Sequence, residues 1–249
     1  MQTWAFYNLK GGVGKTTSAV NIATLAASAG QHVLFWDLDP QGAATWYLRG
    51  KPRLSAKAAH LVKGRVPIGK VIRETGYDRL DLIPADFASR NWDVLLNKAG
   101  GRKRLLSDLL APLAEQYSLV ILDCAPAIST LAENIFRAAD RVWMPVIPTP
   151  LSIRAYEQVW MHFGDQGLKR KRLYPFISML DKRRSMHRDI TLRAAMEWKR
   201  LLSTTIPYSA TIERMGKHRA PVQDYAADSD VALAYRMLWH EMCNRSDDL

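Results

Sequence analysis

Eight residues, Lys10-Gly11-Gly12-Val13-Gly14-Lys15-Thr16-Thr17, constrain this chain more than any other stretch. They stand between a short aromatic and apolar run at residues 3–7, which reads as a strand, and apolar residues at helical spacing over 16–29, which end at Gly30. In that setting glycines let backbone amides converge on phosphate oxygens, and the helix N-terminus adds the positive end of its dipole. Lys15 supplies a point charge and the Thr16 hydroxyl a magnesium ligand, so a nucleoside triphosphate with Mg2+ is the expected ligand. One position departs from the common GxxxxGK(S/T) pattern: Leu9 stands where the first glycine belongs, and Lys10 follows it.

Further apolar runs at 32–36, 80–83, 118–122, 141–147 and 173–179 read as buried strands. Helical periodicity occupies 103–116, 130–139, 153–163, 191–202 and 231–242. This alternation predicts an α/β fold, a mostly parallel twisted sheet flanked by helices. With no internal repeat, low-complexity tract or long linker, residues 1–249 read as a single domain. Residues 49–75 read as loop or short helices. Trp4, Trp36 and Trp143 fall in strands and read as core, whereas Trp46, Trp92, Trp160, Trp198 and Trp239 stay unassigned between core and partner surface.

No apolar run approaches the roughly 18 to 20 residues that cross a bilayer, and the start lacks the pattern of a secretory signal, so a cytoplasmic location is expected. Two cysteines, Cys124 and Cys243, are too few for a disulfide framework or a thiolate zinc site, and Cys124 reads as a small buried residue. The net charge of +11 is uneven: residues 151–220 carry fifteen Lys and Arg against six Asp and Glu. Such clustering suits a polyanion, nucleic acid first and acidic lipid second, with a solvated basic face as the plain alternative.

The phosphate loop resembles that of the ParA/MinD family of deviant Walker A ATPases, whose pattern is KGGxGK(S/T). The likeness continues in 35–45, Phe-Trp-Asp-Leu-Asp-Pro-Gln-Gly-Ala-Ala-Thr, and in 119–126, Leu-Val-Ile-Leu-Asp-Cys-Ala-Pro, which is similar to a Walker B strand. Echoes of the ParA branch at 80–85, 178–181, Thr205-Ile206-Pro207 and 234–236 extend it over nearly the whole chain, in the small Soj-type form without a preceding helix-turn-helix domain. Departures are Ala125, where many relatives have a second proline, and Pro148-Thr149-Pro150-Leu151-Ser152, which is nearer to plasmid or orphan members.

The resemblance implies a deviant Walker A P-loop NTPase fold and an ATP sandwich homodimer, in which Lys10 of one subunit reaches the phosphates bound by the other. Lys10, Lys15 and Asp39 would be catalytic, Asp39 by positioning the attacking water. Lys10, Gly11, Gly12, Val13, Gly14, Lys15, Thr16, Thr17 and Pro207 would hold ATP, and Thr16, Asp37 and Asp123 the magnesium shell. The implied partners are nonspecific double-stranded DNA of the nucleoid and a ParB-like or cargo-adaptor protein that stimulates hydrolysis; no membrane is expected. For DNA contact, Arg183 falls on the family's first basic loop, beside Arg184 and Arg188. Thr211 replaces the arginine of the second loop, so Arg214, Lys217 and Arg219 stand in as its substitutes.

The expected function is partitioning of DNA or positioning of cargo. A MinD-like membrane switch is an alternative that the acidic, short end at 244–249 disfavours. A nucleotide-toggled binding module without appreciable hydrolysis and an amide-forming P-loop synthetase are the others.

Overall fold

Strands that run the same way and bury both faces need helices on each side, and the computed structural model, which describes residues 1–51, 58–85, 92–98 and 100–245, is built on that plan. Strands β1 (Gln2–Phe6), β2 (Val33–Asp37), β3 (Arg73–Glu74), β4 (Leu80–Ile83), β5 (Leu119–Asp123), β6 (Arg141–Val146) and β7 (Leu173–Ile177) form one sheet in the order β3-β4-β2-β5-β1-β6-β7. Neighbours are parallel apart from β3 and β4. The helices are α1 (Lys15–Ser28), α2 (Ala43–Tyr47), α3 (Ala58–Val62), α4 (Trp92–Lys98), α5 (Leu105–Leu110), α6 (Thr130–Ala138), α7 (Pro150–Asp165), α8 (Ser185–Glu197), α9 (Ala210–Glu213), α10 (Met215–His218), α11 (Val222–Tyr225) and α12 (Asp230–Asn244).

The two-residue period of the strands splits the core in two. Ala5, Leu34, Trp36, Val120, Leu122 and Met144 pack on one face against side chains of α4 to α7. Trp4, Phe6, Phe35, Ile121, Trp143 and Tyr174 pack on the other against α1 and α12. Helix α1 is buried around most of its circumference, since the sheet, α2 and α12 all press on it. That fixes the loop at its start. At the far end of the sheet the buried Arg141 donates to the carbonyls of Met242 and Arg245 at 2.9 and 2.8 Å, a cation set against the negative end of α12.

The α/β expectation is met, and so is core placement of Trp4, Trp36 and Trp143; Trp92 joins them, whereas Trp46 is exposed. Two helices differ from the sequence reading. The periodicity at 103–116 yields only α5 and a 3-10 turn, Ala111–Leu113, because Pro112 has no amide to continue the ladder. The helix expected at 191–202 spans Ser185–Glu197 instead. Residues 198–207 then run along the outer edge of β7, where Leu202 and Ile206 donate to the carbonyls of Pro175 and Ile177. Tertiary pairing decides the outcome there, and the apolar residues at 202 and 206 pack into the core on the sheet side of that segment. Strand β3 and helices α2 and α4 were not anticipated. Part of the irregular stretch, residues 52–57, and the acidic end at 246–249 lie outside the described residues. Among those described, no helix is long and apolar enough to cross a membrane.

Phe136 packs edge-on to Tyr7 and beside Phe163, at ring separations of 4.7 and 4.8 Å. Phe136→Ala is expected to destabilise the fold by about 3–5 kcal/mol, read as a fall in the urea unfolding midpoint.

Candidate functional site

The loop after β1 is shaped before any ligand arrives. Asn8, fully buried, donates to the Pro145 carbonyl at 2.7 Å and accepts from the Lys10 amide at 2.8 Å, which turns the chain sharply out of the strand. Gly12 and Gly14 take φ of 70° and 93°, the left-handed region that side chains resist. At Gly14 a Cβ would also lie 2.9 Å from the Ser178 hydroxyl, so this position admits no side chain without a shift. Lys15 is buried, and its ammonium donates back to the Lys10 carbonyl at 3.2 Å, across the mouth of the loop.

Sheet register supplies the acids. Asp123 ends β5 opposite Asp37, which ends β2, and opposite Phe6, which ends β1. Asp123 is fully buried, and among the described residues neither carboxylate oxygen completes a hydrogen bond, although the Thr16 hydroxyl is near enough to pull its pKa down. Burial first, then the Asp37 charge, pushes its carboxyl well above the usual range, against the pull of Thr16 and Lys15. Burial also lowers the Lys15 ammonium, opposed by Asp123, Cys124 and Asp39. A buried carboxylate with free lone pairs beside a hydroxyl and an ammonium suits a magnesium ion and a polyphosphate. Thr16 and Asp123 are the residues placed to hold that ion.

Asp37 is differently employed. Its Oδ2 accepts from the Thr45 amide and hydroxyl at 2.8 and 2.7 Å, and its Oδ1 from the Asp39 amide at 3.2 Å. The Thr45 hydroxyl in turn accepts from the Ala85 amide at 2.8 Å. Asp37 therefore ties the start of α2 to the sheet and orients the Asp39 loop. Sequence reasoning gave Thr45 no role; a hydroxyl residue in the first turn of the helix after Asp37 was the available signal. Asp39 is partly exposed, with Oδ1 accepting from the Gln41 amide at 2.9 Å. Lys10 lies within its own subunit, Nζ donating to the Ser152 hydroxyl at 3.3 Å in the first turn of α7. Pro207 is half-buried and bridges to Leu180 beside β7, at the same end of the sheet.

The predicted DNA-contacting cations divide by environment. Arg183, Arg184 and Arg188 follow β7 at the loop end of the sheet and are exposed. Arg183 forms a two-pronged pair with Asp181 at 2.9 and 3.0 Å, which pulls that carboxyl down to about 2; Arg184 is 3.7 Å from it, and Arg188 donates to the Lys182 carbonyl. Arg214 donates to Thr211, Lys217 is exposed, and Arg219 is half-buried with its guanidinium 4.0 Å above the Trp46 ring. The 169–172 run precedes β7 and so sits at the opposite end of the sheet, where Arg170 and Arg172 donate to the Trp160 and Ala139 carbonyls.

A family model described as an AAA domain matches residues 1–171. Over 258 residues the chain is 28% identical to the chromosome-partitioning ATPase Soj of Treponema pallidum, covering 98% of both. Over 256 residues it is 27% identical to the chromosome partitioning protein ParA of Caulobacter vibrioides, covering all of this chain and 96% of that one. It also resembles the solved structure of cobyrinic acid a,c-diamide synthase from Mycobacterium smegmatis with bound ATP analogue and magnesium. That likeness has a TM-score of 0.83 at 27% identity and covers 98% of this chain and 94% of that one.

Burial holds Asp37 at about 6, above the ordinary 3.8. The folded, nucleotide-free chain therefore takes up protons that the unfolded chain releases. This contribution to stability is full below about pH 4 and is lost as pH rises through about 6. Urea midpoints at pH 5 and pH 7 are expected to show a smaller loss toward pH 7 for Asp37→Asn than for the unsubstituted chain.

Proposed function

The chain belongs to the ParA/Soj/MinD family of P-loop ATPases, and from that premise we propose that it hydrolyses ATP in a sandwich dimer that binds DNA without sequence preference and lets go when a partner protein stimulates hydrolysis. The observation that carries the proposal is the buried, unpartnered Asp123 carboxylate beside Thr16 and Lys15. An apolar burial of that kind makes sense for a site completed by a divalent cation and a triphosphate. Bound magnesium would supply charge neutralisation at the β and γ phosphates.

The chain's own residues do the remaining work. Backbone amides of 11–17 and the Lys15 ammonium bind the phosphates, and Asp39, partly exposed on a loop anchored through Asp37, orients the attacking water. Lys10 rests on a neutral hydroxyl near the positive end of α7, a weak site for a cation. Its exchange of Ser152 for a partner subunit's phosphates is thus favoured electrostatically, and couples dimerisation to ATP. The exposed arginines at 183, 184 and 188 and the cations at 214 and 217 then contact DNA phosphates, doubled in number by dimerisation. A ParB-like or cargo-adaptor protein is the proposed stimulator, acting in the cytoplasm at the nucleoid.

A second reading comes from the Mycobacterium smegmatis relative, whose name is that of an amide-forming synthetase. Turnover of ATP with no carboxylic acid or amine substrate present, raised by DNA or partner, separates the two.

Lys15→Ala is expected to weaken ATP binding by on the order of 100-fold, measured by titration calorimetry; unchanged affinity would remove the phosphate-loop assignment. Asp39→Ala should bind ATP normally and lower turnover by about 100-fold or more, leaving a dimer that stays on DNA. Reversal of Arg183 and Arg184 to Glu should reduce retention on a random-sequence duplex and flatten its dependence on salt, with ATP-driven dimerisation intact.

A further inference from the structure

Helix α2 makes its most distant contacts with a segment some 170 residues further along the chain. The Trp46 indole donates to the Gly216 carbonyl at 2.9 Å, and Arg219 Nε donates to the Trp46 carbonyl at 3.2 Å. The Arg219 guanidinium covers the indole at 4.0 Å, and Arg49, just past α2, donates to the Arg219 carbonyl at 3.1 Å. Arg49 and Arg219 both hold a left-handed backbone, φ 57° and 50°, which a Cβ disfavours. Such strain on both sides of one contact persists only where the contact over-determines it. Trp46 is nonetheless 51% exposed, so filling the core is not its purpose.

The other flank of the same segment rests on α1. Asn21, fully buried, donates to the Thr17 carbonyl at 2.7 Å and lies 3.4 Å from Met215 Sδ, while its Oδ1 accepts from the Val222 amide at 2.9 Å. Met215–Arg219 is therefore suspended between the helix that begins at the phosphate loop and the helix that follows Asp39.

We infer that Trp46 is a positioning residue that makes Met215–Arg219 follow the Asp37–Asp39 loop, so that nucleotide occupancy sets the placement of the Arg214 and Lys217 cations. The linkage is short. Asp37 fixes Thr45 through two hydrogen bonds, Thr45 and Trp46 are consecutive in one five-residue helix, and Trp46 grips residues 216 and 219. Motion of α2 cannot leave the segment behind without breaking two hydrogen bonds and the stack. The inference rests on the proposed function only in taking a nucleoside triphosphate as the occupant.

The test is amide hydrogen exchange at 214–219 in the full chain, with and without magnesium and a non-hydrolysable ATP analogue. In the unsubstituted chain the analogue should slow exchange at 215–219 by about threefold or more. Trp46→Ala should lose that response while binding the analogue within about twofold of normal, and Trp46→Phe, which keeps a ring under Arg219, should restore most of it. The same response in Trp46→Ala, or none in an unsubstituted chain that binds the analogue, overturns the inference. A chain that binds no analogue overturns both this inference and the ATPase reading. A response at 215–219 without retention on a random-sequence duplex supports the linkage and removes the DNA reading alone.

Discussion

Burying a carboxylate without a hydrogen-bond partner costs several kcal/mol in most settings, and here the cost falls on Asp123, at the end of a strand enclosed on both sides. Parallel register determines its company: Asp37 ends the next strand at the same level, so two acids meet where the chain leaves the sheet. Burial drives the Asp123 carboxyl up and the Lys15 ammonium down, so each holds its charge less readily than it would in water. In the proposed function a polyphosphate carrying a divalent cation would favour both charged forms together, the cation beside the acid and the phosphates beside the lysine. Asn8 and the two left-handed glycines hold the loop open for that ligand, so little ordering is left for binding to accomplish.

The residues that were legible in the sequence are those whose chemistry is set by their immediate neighbours. The phosphate-loop reading of Lys10 to Thr17 needed only a preceding strand and a following helix, both of which the structure has, whereas the roles expected of Asp39 and Asp123 came from the family resemblance. The fold class followed from alternating apolar runs for the same reason. What escaped depended on distant partners. The resemblance implied Asp37 in the metal shell, and nothing in the sequence signalled that its oxygens also accept from Thr45 and Asp39, contacts that turn on a short helix entered through Gly42 at φ 66°. The helix at Ser185–Glu197 begins six residues before its apolar periodicity suggested, because the later apolar residues pair with β7. Arg219 was offered as a substitute for the second-loop arginine that Thr211 replaces, and only the structure puts Trp46 beneath it.

The excess of positive charge also takes on shape. Counted along the chain, 169–172 is the densest basic run, but it lies at the end of the sheet away from the phosphate loop and spends two of its arginines on carbonyls. Fewer cations, at 183–188 and 214–217, share the end where nucleotide chemistry is expected. In the proposed function the second group is the one near enough to the phosphate loop for nucleotide to act on.

The flanks of the sheet bear on how copies of this chain can meet. On one side the outermost strand is two residues long, antiparallel, and made of exposed Arg73 and Glu74; on the other, Leu202 and Ile206 donate to the Pro175 and Ile177 carbonyls of β7, and Pro207 bridges to Leu180 just beyond it. Among the described residues, neither border offers a long bare row of amides and carbonyls to a neighbour. Strand addition between copies is disfavoured on that account, which would spare the proposed cycle of pairing and separation an irreversible competitor.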